Sequence, residues 1–350
     1  MTADNITNDG SFELVKKVFL RNDFAIDDAK KLQKNDILVC VSSGSKSHVG
    51  KCAYIASDTE YFAGGFMGIL RSSTDNICMK YLWIVLSSKQ FRDIMSQKST
   101  GSNINNISSV LGDIKVPIPP VNIQQEIITC MKGYEDEETK LKSQLSEYQE
   151  KISDIINDCF AGSYSFEQLG NIADIYNGGT PSTEREEYWN GDIYWATLAD
   201  TKNKYLYSTQ RRITKEGLEH CNAVILPVNT VLFSSRATIG EVSVAKVPVS
   251  TNQGYKNFVC NENKLYYEYL YYILRHEVKN IKLLAGGMTY PEINKAMISE
   301  YKIPLPSLDK QQEIISQIQE IEYKINIIQE QLDKLKFEKA SVLQKFQVKA

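Results

Sequence analysis

Two short segments of this chain place hydrogen-bonding side chains where an apolar strand ends. Val231-Leu232-Phe233 runs into Ser234-Ser235-Arg236-Ala237-Thr238, and the loop Thr251-Asn252-Gln253-Gly254-Tyr255 follows. A guanidinium on such a turn, with Thr238 beside it, can fork onto guanine O6 and N7 or clamp a phosphate. The amides of Asn252 and Gln253 can take adenine N6 and N7 as a bidentate pair. The plainer alternatives are an arginine paired with a surface carboxylate and turn amides satisfied by their own backbone. Tyr255 closes the second loop and is counted with its polar neighbours. An earlier stretch, Ser43-Gly44-Ser45-Lys46-Ser47-His48, is a longer version of the Arg236 turn. Lys46 there suits a phosphate, with Ser43 and His48 as further donors. Thr180 and Ser182, in Gly178-Gly179-Thr180-Pro181-Ser182, join Lys202, Arg211 and Arg212 as candidate backbone contacts, which orient a nucleic acid without reading it. For each of these a solvated surface role competes. The aromatic clusters Tyr188-Trp189, Tyr194-Trp195 and Tyr266 to Tyr272 fall at strand or helix spacing and read as core before they read as base-stacking platforms.

The same search finds no catalytic signature. Ile118-Pro119-Pro120-Val121 fails at both ends of the Asp/Asn/Ser-Pro-Pro-aromatic sequence of amino-methyltransferases, and neither Gly-x-Ser-x-Gly nor His-Glu-x-x-His occurs. Glu277-Val278-Lys279 looks like the end of a nuclease motif but sits in a helical run with no upstream Pro-Asp. Gly286-Gly287-Met288-Thr289 and Gly101-Ser102-Asn103-Ile104 are not followed by the Gly-Lys-Ser/Thr of a P-loop, so both read as turns. The seven cysteines are scattered and never spaced Cys-x-x-Cys, and only three histidines are present. That pattern suits reduced thiols rather than a zinc site. The chain is expected to bind and position, with no cofactor or metal of its own.

What must position these loops is a repeat. Residues 117–128, PIPPVNIQQEII, return as 304–315, PLPSLDKQQEII. Each copy leads into a polar segment with apolar residues spaced alternately by four and three. The second carries Ile314, Ile318, Ile321, Ile325, Ile328, Leu332 and Leu335. The first carries Ile127, Met131, Tyr134, Glu138, Leu141, Leu145 and Tyr148. A sustained 3.5-residue period is a coiled-coil seam. The prolines fix each start, and about 37 helical residues reach roughly 55 Å. Glu138 stands where the other copy has Ile325, and Lys339 where it has Ile152. A seam charge costs stability but can fix register, and the unequal seams favour pairing of the two helices with each other.

The repeat extends upstream. Tyr81–Leu86 matches Tyr269–Leu274, Asn35–Val39 matches Asn229–Phe233, and Ala3-Asp4 falls on Ala199-Asp200. Ser42-Ser43 is set on Ser234-Ser235 and Val49-Gly50 on Ile239-Gly240, with two extra residues in the first copy. Phe166 to about Leu198 has no counterpart, so the first module is expected to be truncated at its start or completed by another chain. The predicted fold is α/β (α+β), with two globular modules separated by two long antiparallel coiled-coil helices. The modules cover 1–120 and 161–307, and the helices 121–160 and 308–350. Internal repetition on this scale settles architecture before detail.

Composition sets the outer bounds. The 350 residues carry a net charge of −3, and nine acidic against four basic side chains fall within 124–160, chiefly Glu135-Asp136-Glu137-Glu138. The globular parts are therefore neutral to slightly basic, which permits a DNA-facing surface. No apolar run is long enough to span a membrane, and the first residues lack the apolar core of a signal peptide.

These residues carry a resemblance. Leu169-Gly170 with Asn177 to Ser182, Phe233 to Gly240, and Ile303-Pro304-Leu305-Pro306 with Gln311-Gln312-Glu313-Ile314 resemble the specificity (S) subunit of type I restriction–modification systems. The first-half versions are Val39 to Gly50 and Val116 to Pro120 with Gln124-Gln125-Glu126-Ile127. No single motif is very specific, but their order, twice over, is. The resemblance implies two target-recognition domains joined by antiparallel helices, each domain reading one half of a split double-stranded DNA site. The helices would hold the domains apart and set the length of the unread spacer. It implies assembly with two methyltransferase subunits, and with restriction subunits for cleavage. S-adenosylmethionine and ATP with Mg then belong to those partners, and the work is done in the cytoplasm. The departure from the family pattern is the missing start of the first domain. Two other readings stand beside this one. One is a scaffold whose modules bind proteins, favoured by the acidic first helix. The other is the detached recognition part of a methyltransferase fusion.

Overall fold

The computed structural model describes the chain except residues 8–9, 16, 22–26, 46, 99–104, 110, 237, 287–290 and 347–350. Lys46 and most of the two Gly-rich turns singled out above therefore lie outside the described residues. The chain divides into two compact units, Met1–Ser143 with Ile328–Ala350, and Gln144–Ile327.

In unit 1 the fully buried strand β1 (Ile37–Cys40) leads into β2 (Ser42–Ser43), and β3 (Cys52–Tyr54) and β4 (Met67–Leu70) flank β1 antiparallel on either side. Helices α1 (Met79–Ser87) and α2 (Lys89–Lys98) follow, and β5 (Asn105–Asn106) pairs with β2. Side chains of β1 alternate between two cores, as strand geometry requires. Ile37 and Val39 meet Tyr81, Val85, Phe91 and Met95 from the helices, while Leu38 and Cys40 meet Ile6, Leu32 and Ala53. The long helix α3 (Val121–Ala161) leaves this unit.

Unit 2 opens within α3 and continues with β6 (Phe166–Gln168), the single turn α4 (Leu169–Ile172) and β7 (Ala173–Asn177). Then come β8 (Trp189–Ala196), β9 (Tyr205–Leu206), β10 (Arg211–Ile213), α5 (Lys215–Glu219), β11 (Val231–Ser234), β12 (Val242–Ala245), β13 (Ser250–Thr251) and β14 (Tyr255–Cys260). Helices α6 (Tyr267–Leu284) and α7 (Lys295–Glu300), strand β15 (Lys302–Pro304) and the long helix α8 (Leu308–Lys345) complete the order. A five-stranded sheet runs β7-β14-β11-β12-β9, a three-stranded one β10-β8-β13, and β15 pairs with β6.

The repeat holds at the level of single hydrogen bonds. Asn35 and Asn229 enter β1 and β11 with left-handed φ of 70° and 69°, a conformation Asn tolerates better than most residues. Gln124 is fully buried; its Oε1 accepts from Cys78 N at 2.8 Å and its Nε2 donates to the carbonyls of Asn76 and Pro119. Gln311 does the same with Tyr266 N, Lys264 O and Pro306 O. The Tyr81 hydroxyl donates to Pro117 O, as the Tyr269 hydroxyl donates to Pro304 O. One sequence register needs correction. Val39 sits between Cys52 and Gly68 as Phe233 sits between Val242 and Lys256. Gly50 N donates to Cys40 O as Gly240 N donates to Ser234 O. Cys40, not Ser42, therefore occupies the place of Ser234, and loop 41–49 replaces loop 235–239.

The two long helices pair antiparallel within each unit. In unit 1, Lys339 Nζ lies 2.6 Å from Glu138 Oε2, and Lys345 Nζ is 2.9 Å from the Tyr134 hydroxyl. The two seam charges thus meet each other. Hydrogen bonds from Lys142 and Lys339 hold the Glu138 carboxyl below its ordinary range. In unit 2, Ile156 and Cys159 of α3 share one core with Ile314, Ile315 and Ile318 of α8. Among the described residues no helix is long and apolar enough to cross a membrane.

Candidate nucleic-acid interface

The candidate residues of unit 2 gather where β7 ends, β11 ends and β14 begins. Loop 178–182 leaves β7 and lies against loop 251–254. Gly178 N donates to Tyr255 O, Gly179 N donates to Thr251 O at 2.9 Å, and the Thr180 hydroxyl donates to Gln253 Oε1. The approach is close enough to demand glycine: a Cβ on Gly178 would fall 1.8 Å from Asn252 O, and one on Gly179 2.6 Å from Ala223 N. Trp195 Nε1 donates to Gly179 O and Trp189 Nε1 to Ser182 O, so two indoles fix the path of the loop from below.

Arg211 stacks on those indoles. Its guanidinium carbon is 3.7 Å from the centre of Trp189 and 5.2 Å from that of Trp195. Arg212 lies 4.4 Å over Tyr194. The register explains both contacts, because Arg211 stands opposite Trp195 and Arg212 opposite Tyr194 across β10 and β8. Arg212 Nη2 also donates to the Tyr194 hydroxyl at 3.3 Å, and contact with the aromatic rings limits where each guanidinium can turn.

The Arg236 turn joins the same cluster through Ser235, whose N–H and hydroxyl both donate to Gly254 O. Arg236 Nε is 2.9 Å from Glu292 Oε1, so the surface ion pair that competed with DNA contact is present. The pair engages Nε, whereas the terminal nitrogens are the ones that fork onto guanine. Beneath it Lys256, 4 % exposed, reaches Ser235 Oγ at 3.2 Å and Glu292 at 3.7 Å. Two cations thus face one carboxylate. Arg236 holds Glu292 below its usual carboxylate range, and burial lowers Lys256 despite the nearby Glu292.

Other candidates fall out differently. Asn252 Oδ1 accepts from Gly254 N at 2.9 Å, the self-satisfied turn that had been the alternative for it. Thr238 is exposed, at φ 93°, and its carbonyl accepts from Ser234 Oγ. Lys202 is exposed in the turn before β9. Tyr255 is a correction: it is fully buried with Leu232 and Val249, and its hydroxyl bonds Thr201 Oγ1 at 2.6 Å, so it supports the loop from inside. Glu277 is likewise structural, bonded to the Tyr301 hydroxyl and Asn280. In unit 1, Ser43 and His48 belong to a hairpin loop closed on itself, where Ser45 N donates to Ser43 Oγ and His48 N to Ser45 O. The sequence reading missed Glu292, which lies 56 positions from its partner, and the two-indole platform, which only strand register reveals.

The profile of the type I restriction modification DNA specificity domain matches residues 1–151 and again 163–336. The chain belongs to that family. The MjaIX type I restriction enzyme specificity subunit of Methanocaldococcus jannaschii is 38% identical over 156 residues, 43% of this chain and 36% of that protein. The EcoR124I/EcoR124II specificity subunit of Escherichia coli is 26% identical over 284 residues, 76% of this chain and 69% of its own. The chain thus spans about a third of the first relative and just over two thirds of the second. Among solved structures, a chain from a study of complex assembly and conformational transition in the type I R-M system superposes with a TM-score of 0.66 at 17% identity, covering 99% of this chain and 90% of that one. The S subunit of the type I system from M. genitalium gives 0.52 at 17% identity, covering 99% and 91%. These likenesses speak for the fold. The description of that family names DNA, whereas the geometry of the cluster by itself names no ligand.

Proposed function

We propose that this type I specificity chain reads a bipartite double-stranded DNA target in the cytoplasm and positions two methyltransferase subunits, with restriction subunits added for cleavage. In this reading it does no chemistry itself. S-adenosylmethionine, ATP and Mg belong to the partners. The observation that carries the proposal is that three loops of unit 2 are joined: Thr180 bonds Gln253, Ser235 beside Arg236 bonds Gly254, and Trp189 links Ser182 to Arg211. Arg236 and Gln253 are the base-reading candidates, and Arg211, Arg212, Thr180 and Ser182 the phosphate-orienting ones. Lys202 and Thr238 lie on exposed turns of the same unit and serve as outer contacts. In unit 1, Ser43, Lys46 and His48 would meet the other half-site.

Methylome sequencing of a host with and without the gene, its methyltransferase partner present, tests this directly. A split methylated motif should appear only with the gene. Arg236→Ala should relax one position of one half-site by about 1–3 kcal/mol. An unchanged motif in that variant would remove Arg236 from base reading. Absence of any gene-dependent methylation would favour a protein-binding scaffold.

A further inference from the structure

Arg236 and Glu292 are joined by more than their charges. Ile293, one residue beyond Glu292, is fully buried in the core of unit 2, and its N–H donates to Ser235 O at 3.0 Å. Ser235, one residue before Arg236, is itself tied to Gly254 O through its N–H and its hydroxyl. Asn294 then caps α7, its Oδ1 accepting from Met297 N at 2.9 Å. The main chains that carry the guanidinium and the carboxylate are therefore bonded to each other one residue away from either side chain. An ordinary surface ion pair is weakened by the entropy of holding two long side chains together on independent supports. Here the supports are shared.

The carboxylate also has a second cation beneath it. Lys256 lies in β14, paired with Phe233 on one side and Asn177 on the other. Its Nζ is 3.7 Å from the same Oε1 that lies 2.9 Å from Arg236 Nε. Exposure rises from the buried ammonium, through Glu292 at 34%, to Arg236 at 46%. The three side chains together carry one net positive charge. Without Glu292 they would carry two, and adjacent cations clamp a phosphate of any sequence.

We propose that Glu292 is a specificity-determining positioning residue, which holds Arg236 for base reading and keeps Arg236 and Lys256 from closing together on a DNA phosphate. This role rests on the reading of DNA by Arg236 proposed above and adds the residue that aims it. Two effects of different origin combine. The oxygen of residue 292 restrains the guanidinium, so a base edge meets it in a set direction. The negative charge opposes phosphate, so duplexes with the wrong bases are held less tightly, and specificity is gained by penalising the wrong partner.

The full chain with its methyltransferase subunits is titrated by fluorescence anisotropy against duplexes carrying the split motif found by methylome sequencing, the same motif with each base pair changed in turn, and an unrelated sequence. Glu292→Ala should lower the matched-to-mismatched affinity ratio at least tenfold at the position that Arg236→Ala relaxes. It should also steepen the slope of log K against log salt on the unrelated duplex by about one, the effect of one added phosphate contact. Glu292→Gln keeps an oxygen acceptor at the same reach without the charge. Its ratio should stay within about threefold of the wild type while its salt slope steepens as in the alanine variant. If Glu292→Ala fails to fold because Lys256 is left buried without its carboxylate, the double variant Lys256→Met with Glu292→Ala removes both charges, and the ratio should still fall at least tenfold. An unchanged ratio in these alanine variants, beside a lowered one in Arg236→Ala, would overturn the proposal and leave base reading by Arg236 standing. Equal losses in Glu292→Ala and Glu292→Gln, or a salt slope that neither variant moves, would also overturn it. If Arg236→Ala left every ratio unchanged, base reading by Arg236 would fail and the role of Glu292 with it.

Discussion

Removing the Gln311 side chain tests whether the repeated Gln-Gln-Glu segment works as a main-chain staple. The amide is fully buried and makes three bonds of 2.8–2.9 Å, accepting from Tyr266 N and donating to Lys264 O and Pro306 O. Gln311→Ala leaves one buried N–H and two carbonyls without that partner. An orphaned buried group costs about 1–3 kcal/mol, the carbonyls toward the lower end because each has a second lone pair. The expected loss is about 3–5 kcal/mol, a large share of the stability of an ordinary domain. Gln124→Ala should cost a similar amount in unit 1, where Cys78 N, Asn76 O and Pro119 O take the same roles. The neighbours Gln125 and Gln312 are exposed, so their alanine variants should stay within about 0.5 kcal/mol. Urea unfolding followed by tryptophan emission separates the units, because Trp83 reports unit 1 and Trp189 with Trp195 report unit 2. A Trp83→Phe background isolates the second signal. If Gln311→Ala matched Gln312→Ala, the staple would carry no energy and the reasoning would fail.

Three further outcomes follow from the geometry. Lys204 contacts Glu268 at 3.4 Å, Glu322 at 3.1 Å and the Tyr272 hydroxyl at 2.7 Å, so Lys204→Met strands a buried carboxylate and should cost unit 2 about 3–5 kcal/mol in the same urea assay; a loss below about 1 kcal/mol would mean that Glu268 is neutral. Glu138 has a folded pKa below its ordinary 4.5, so its stabilising contribution is complete above 4.5 and is lost as pH falls through the lowered value. The stability gap between the wild type and Glu138→Gln should therefore close on acidification below 4.5, and a gap that widens would contradict the pairing with Lys339 and Lys142. Gly178→Ala forces the loop away from Asn252 O and should reduce DNA affinity at least tenfold in a salt-matched binding assay; unaltered affinity would separate loop 178–182 from the interface.

Much of this architecture was legible because it is written twice. Prolines, the Gln-Gln-Glu start and the seam period recur at a near-constant offset, and the strand-entering Asn35 and Asn229 do so with the same left-handed φ. The seam charges were visible one at a time. Their meeting was not, since sequence carries no register for an antiparallel pair, and only the pairing brings Lys339 to Glu138. The loops were harder for a related reason. Tyr255 ends a polar loop in the sequence, yet it is the first residue of β14 and its ring points into the core with Leu232. Arg236 meets Glu292 and Arg211 meets Trp189 through chain crossings that local pattern does not encode.

The placement of the staples bears on how such a chain can vary. The partners of Gln311 are Tyr266 N, Lys264 O and Pro306 O, all main-chain atoms, and the Tyr269 hydroxyl likewise takes Pro304 O. A contact to backbone fixes the path of the chain while leaving the partner's side chain unconstrained. These bonds lie beyond the Cys260 end of β14, where α6 and α8 begin. The cluster of Thr180, Gln253 and Arg236 lies at the Tyr255 end of the same strand. Between them Phe233 and Phe258 form an interior that tolerates little change in volume. The end that holds the long helices is thus fixed through backbone. The end proposed to read DNA is held by Gly178, Gly179, the two indoles and the Ser235–Gly254 bonds, and exchange of Arg236, Thr238 or Gln253 touches none of the staples where α6 and α8 begin. Alterations of sequence preference should therefore be attainable by substitutions confined to 180–182, 236–238 and 252–253, at little cost in stability to the helix pair.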